Sequence, residues 1–330
     1  MLLLCTVLLA ACRDDTVTPW YDQYPVVTDT DHDLDPCDLC SLGCRDVNDD
    51  DLYDYTNPVF NPQNGEEFAY LRENNHDISP VKEVWIMNGR TGETHFVSDN
   101  VLGYLDWSPT GWLIFMDLDR QVYKIEPDGS NRIQLTSEGD WNRGPFWEYS
   151  GESFTVFREQ NEDNYLLHIG SDGLILDTIT TKIPVTPRGW NEKDQIAQLR
   201  LHVNLRDFEV GYFDYNDQSA YVLYEEDVPP FESNKYFGNG VTWINSETIL
   251  WVTRHIVGTT NIQTGETDII LETPMSHFLS GGLGVNPAGT HALVGAFDRE
   301  LIGVCQLDIQ YRLYLIDLET GEERRIEIPE

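Results

Sequence analysis

The chain has 330 residues, 40% of them apolar, and a formal charge of −36 from 57 acidic against 21 basic side chains. That length bounds the protein to one large domain or two small ones. The charge excludes a nucleic-acid binder, whose affinity comes from Lys and Arg neutralising phosphates, and it argues equally against adhesion to anionic lipid.

Residues 1–11, Met-Leu-Leu-Leu-Cys-Thr-Val-Leu-Leu-Ala-Ala, form an apolar run too short to span a bilayer and suited to the core of an export signal. Leu9-Ala10-Ala11-Cys12 resembles a bacterial lipobox, although no basic n-region precedes it. The resemblance implies lipidation of Cys12 and an anchored protein of the cell envelope, at the outer membrane, touching the membrane through its lipid alone.

Residues 12–56 are a different material. From 13 to 56 there are thirteen Asp and no Glu, against Arg13 and Arg45, so this stretch carries −11 and leaves −25 for the rest. Low hydrophobicity with high charge predicts a flexible acidic tether. Within it, Asp29, Asp31, Asp33 and Asp35 alternate as the oxygen ligands of a Ca²⁺ loop do. The run is similar to thrombospondin type 3 repeats, but Leu34 stands at the usual turn glycine and no bidentate Glu closes the loop. A solvated spacer is therefore the competing reading. Cys37, Cys40 and Cys44 lack a second Cys pair for zinc. In an exported chain they are candidates, with Cys305, for two disulfides in any of three pairings.

From 57 to 330 a cassette of about 40 residues recurs six times. An apolar strand ends at an aromatic position (Phe60, Trp107, Trp147, Trp190, Trp243, with Val285 in the sixth copy) and turns at motifs such as Ser108-Pro-Thr-Gly111. Pro presets the first turn position and Gly accepts positive φ. A second strand follows each turn, and two more flank a hairpin signal such as Asp128-Gly129 or Thr264-Gly265. Four antiparallel strands per cassette and no convincing helix predict an all-β, six-bladed β-propeller.

The stretch Gln121 to Arg158, with Asp128-Gly-Ser-Asn131, Leu135-Thr136 and Pro145-Phe-Trp147, resembles the TolB-like (WD40-like) propeller repeat. Blades two and three match well and blade four diverges. The resemblance covers about 270 residues and speaks for fold rather than activity. It implies an envelope scaffold that binds a protein or peptide and needs no cofactor. A propeller lyase or glycoside hydrolase, or a surface adhesion or substrate-capture protein, are the competing classes. Neither a Gly-x-Ser-x-Gly elbow nor a zinc-hydrolase His-Glu-x-x-His motif occurs.

Residues shortly before each anchoring aromatic are expected in loops that converge at the channel mouth. They are Tyr104, Trp141, Asn142, Arg143, Arg188, Asn239 and Ser280. Two Arg there, in a chain so poor in bases, suit a carboxylate or a peptide terminus.

Overall fold

Alternating apolar runs punctuated by Gly, Pro and Asx turns give strands almost throughout the computed structural model. It describes residues 20–24, 26, 53–74, 81–137, 141–160, 163–181, 186–201, 207–227, 238–273, 277–302 and 306–329. Cys12, Asp29, Asp31, Asp33, Asp35, Cys37, Cys40, Cys44 and Cys305 lie outside the described residues, and the expected lipidation, calcium and disulfide sites with them. Among the described residues there is no α-helix, only a 3-10 turn at Trp20–Gln23.

The first sheet has seven strands in sequence order: β1 (Tyr53–Phe60), β2 (Glu67–Asn74), β3 (Lys82–Asn88), β4 (Thr94–Trp107), β5 (Leu113–Asp117), β6 (Val122–Ile125) and β7 (Ile133–Gln134). Four sheets of four antiparallel strands follow. The second holds β8 (Trp141–Trp147), β9 (Ser153–Gln160), β10 (Asp163–Gly170) and β11 (Ile175–Thr181). The third holds β12 (Thr186–Trp190), β13 (Gln195–Leu201), β14 (Asp207–Asp214) and β15 (Ser219–Asp227). The fourth holds β16 (Gly238–Asn245), β17 (Thr248–Thr253), β18 (Ile256–Asn261) and β19 (Thr267–Glu272). The last holds β20 (His277–Val285), β21 (His291–Ile302), β22 (Gln306–Asp317) and β23 (Glu323–Ile326).

The first sheet is long because β4 serves twice. Its first half pairs with β3 up to Val101, and from Val101 onward it pairs with β5. Asn100 takes φ 59° and the register with β3 shifts there, but Val101 pairs with both Lys82 on β3 and Asp117 on β5, so two strand quartets remain one hydrogen-bonded sheet. The divergent fourth cassette folds like its neighbours.

The innermost strands meet in a ring: β1 against β4, β4 against β8, β8 against β12, β12 against β16, β16 against β20, and β20 back against β1. Apolar clusters fill the wedges between neighbours. Phe208, Val210 and Ala197 pack with Trp243, Trp251 and Ile249 across the third and fourth sheets. Leu250, Val252 and Val257 pack with Leu279, Val294 and Tyr314 across the fourth and fifth. Each recurring tryptophan sits in such a wedge; complete burial of a ring like that of Trp251 stabilises by roughly 2–3 kcal/mol.

Among the described residues, the strands of the last sheet all come from residues after 276, and β1 packs on β20, β21 and β22 without joining that sheet. A strap from the expected tether crosses the seam. Trp20 is 8% exposed and stacks on Phe68, with ring centroids 6.1 Å apart. Its ring lies so close to Gly89 that a Cβ there would meet it at 2.5 Å. Gln23 Nε2 and the Tyr24 hydroxyl donate to the Gly89 carbonyl, Arg324 donates to the Tyr24 carbonyl at 2.9 Å, and Val26 bridges to Arg324 on β23. Part of 12–56 is therefore packed rather than free, and β1 begins at Tyr53, ahead of the expected boundary at 57. Composition hid this because two buried aromatic residues, Trp20 and Tyr24, anchor the strap.

Candidate functional site

The seven expected mouth residues do not lie in loops. Each falls within an inner strand: Tyr104 in β4, Trp141, Asn142 and Arg143 in β8, Arg188 in β12, Asn239 in β16 and Ser280 in β20. The reason is repeated. Every inner strand breaks register just before its anchor, at Thr56/Val59, Gly103/Asp106, Arg143/Phe146, Pro187/Trp190, Gly238/Gly240 and Ser280/Leu283. Such bulges bend a strand and re-aim its side chains, so a strand can supply the channel mouth without a loop.

Three residues before the anchor, the backbone often turns left-handed: Asn57 at φ 50°, Tyr104 at 60°, Gly144 at 56° and Gly282 at 117°. Glycine accepts this freely and Asn tolerates it, but a bulky Tyr does not. Arg120, at φ 63°, is strained in the same way; it sits in the β5–β6 turn, where its N–H donates to the Asp117 carbonyl at 2.8 Å.

These strained residues share one place. Asn57, Tyr104, Arg120, Asn142 and Arg143, with Leu102, Gly103 and Met116, line a cavity of about 420 Å³ where the inner strands begin. Among the described residues, two Arg and no carboxylate line it. Arg143 is exposed and Arg120 half-buried. Asn142 is 1% exposed and works as support: its amide donates to the Arg120 carbonyl at 3.2 Å and its oxygen accepts from Arg158 Nε at 3.1 Å. Of the expected residues, then, Tyr104, Asn142 and Arg143 come together. The side chains of Trp141, Arg188, Asn239 and Ser280 lie outside the described residues. Arg120 was missed because it belongs to a hairpin turn; a lone base in Asp117-Leu-Asp-Arg120 was its only signal.

Below this mouth the channel narrows to about 60 Å³ between Asn57, Tyr104, Gly144 and Leu283. It then opens into a second cavity of about 490 Å³ at the opposite mouth. Behind that cavity lies a hydrogen-bonded chain. His168 Nε2 meets Glu148 Oε2 at 3.1 Å and Ser153 Oγ at 2.5 Å, His168 Nδ1 meets the Tyr215 hydroxyl at 3.2 Å, and Tyr215 donates to Asp177 at 2.8 Å. The bond from His168 outweighs burial and holds the Glu148 carboxyl down at about 2, while burial and the bond to Asp177 push the Tyr215 phenol up. Ser153 is 2% exposed, which makes this chain a fastening between β10 and the end of β14, not an accessible nucleophile. His291, on β21, is 6% exposed. No group of three or more metal-ligating side chains forms among the described residues.

Comparison with solved structures shows the β-propeller fold. A protein assigned as TolB from Agrobacterium tumefaciens superposes with a TM-score of 0.58 at 14% identity, over 74% of this chain and 87% of that one. This chain has the TolB-like β-propeller fold. An acylaminoacyl peptidase from Pyrococcus horikoshii gives 0.55 at 10% identity over 84% of this chain, which spans only 52% of the peptidase. An oligogalacturonate lyase from Vibrio parahaemolyticus gives 0.54 at 10% identity, over 84% and 78%. Identities this low establish the fold and leave activity open. No protein-family model matches the sequence, and no curated protein matches it.

Proposed function

We propose that the protein is a six-bladed, lipid-anchored propeller of the bacterial envelope that captures a protein or peptide partner at the Arg120–Arg143 mouth. Six blades are favoured by the closed ring of inner strands and by β4, whose two halves count as the outer strand of one blade and the inner strand of the next. The observation that carries the binding site is the cavity itself. Three residues in left-handed backbone, two of them unsuited to it, surround a space into which, among the described residues, two Arg and no acid are gathered. Backbone strain of this kind persists where function retains it, and paired guanidinium groups favour carboxylates through charge-assisted bonds. The Leu9–Cys12 pattern supports the anchor, and the acidic stretch after it supports a spacer between lipid and propeller.

The test compares peptides bearing free and amidated C-termini, by fluorescence anisotropy, on wild-type protein and Arg143→Ala. Free-carboxylate peptides should bind better than their amides, and Arg143→Ala should erase the difference while Tm stays within about 2 °C, because an exposed side chain contributes little to stability. Equal binding of both peptide forms would remove the carboxylate from the mechanism.

A further inference from the structure

We propose that the opposite mouth of the channel is a second binding site, for a cationic peptide segment presenting an Arg or Lys side chain. The cavity there, about 490 Å³, is separated from the arginine mouth by a neck of about 60 Å³, room for only a few waters. The two ends are therefore distinct sites with opposite chemistry. Asp106, Glu148 and Glu192 line the second cavity, and among the described residues no Lys, Arg or His does; Asp106 accepts from the main-chain N–H of Trp147 and Glu148 bonds His168, which leaves Glu192, exposed, as the most open carboxylate.

The carboxylates are only part of it. Trp107, Trp147, Trp190 and Trp243 end the inner strands in the cavity wall, and Tyr149, 60% exposed, stands on its rim. Aromatic surface beside carboxylates holds a guanidinium or ammonium group by cation–π and ionic attraction together. Pro62, Pro109 and Pro287 fix the rim backbone, so less order has to be imposed on binding.

The probe is acetyl-Gly-Arg-Gly-amide, titrated against intrinsic tryptophan fluorescence, with the citrulline peptide as its neutral isostere. The arginine peptide should give a saturable change and the citrulline peptide none. Glu192→Gln and Tyr149→Ala, both at exposed positions that carry little of the fold, should each weaken it about three- to tenfold. Glu266→Gln removes the same charge from a distant exposed hairpin and should leave it unchanged. Arg143→Ala should also leave it unchanged, which separates this site from the arginine mouth. Absence of saturation, equal binding of the citrulline peptide, or equal weakening by Glu266→Gln would each overturn the proposal; the last would reduce it to attraction by the acidic surface as a whole.

Discussion

Replacing Tyr104 inverts an ordinary rule of stability. Gly is normally worse than Ala inside a strand by roughly 0.5–1 kcal/mol, because it loses more backbone freedom on folding. At Tyr104 the native φ is 60°, where any side chain with a Cβ is strained by about 1–2 kcal/mol. Tyr104→Ala keeps that strain and loses the ring, whose Cδ1 would lie 3.7 Å from a Cβ at Gly144. Tyr104→Gly loses the same ring but relieves the strain. Subtracting glycine's entropic penalty leaves the Gly variant more stable than the Ala variant by about 0.5–1 kcal/mol, or roughly 1–4 °C in Tm for a domain of this size. Paired thermal melts and urea titrations read that difference, and equal m-values confirm that the unfolded states match. Both variants should bind free-carboxylate peptides more weakly, since the ring lines the cavity. An Ala variant as stable as the Gly variant would show that the backbone at 104 relaxes and that no strain is held at the mouth.

Trp20→Ala should destabilise the propeller by about 3–5 kcal/mol, lowering Tm while leaving the far-UV spectrum β-rich, because it empties the seam between Phe68 and Gly89. Acid stability should depend on Glu148. Its folded value of about 2 lies below the ordinary glutamate value of 4.5, so the unfolded chain takes the proton first; the stabilisation is complete above about pH 4.5 and is lost as pH falls toward 2. Glu148→Gln should flatten the urea-midpoint profile across that window and leave its shape near neutrality unchanged. Cys12→Ser should release the protein from membranes without detergent, checked by fractionation and intact mass of the mature N-terminus. Calcium binding at Asp29–Asp35 would register as a rise in Tm that EDTA reverses.

The repeat was legible because propeller blades are local. Each turn signal, such as Ser108-Pro-Thr-Gly111 with Gly111 at φ 95°, acts within a few residues, and hairpin register follows from it. The second strands begin within a residue of where alternation puts them, from Glu67 in β2 to His291 in β21. The aromatic anchors were readable for the same reason: periodic position alone assigns them to the wedges between neighbours.

What the sequence could not express is adjacency across the ring. Arg120 and Arg143 face one cavity because two consecutive strand quartets set a hairpin turn beside a bulged strand. The mouth residues were expected in loops because alternation cannot report a bulge, which inserts a residue without changing composition. Trp20 looked like part of an acidic spacer, since only contact with Phe68 and Gly89, far along the chain, makes it core. Charge followed the same division. Composition fixed the total of −36, while closure of the ring decided that arginines gather at one end of the channel and carboxylates at the other. Local backbone chemistry specifies strands and turns within a blade; which side chains become neighbours around the axis depends on long-range closure, and only the tertiary structure supplies it.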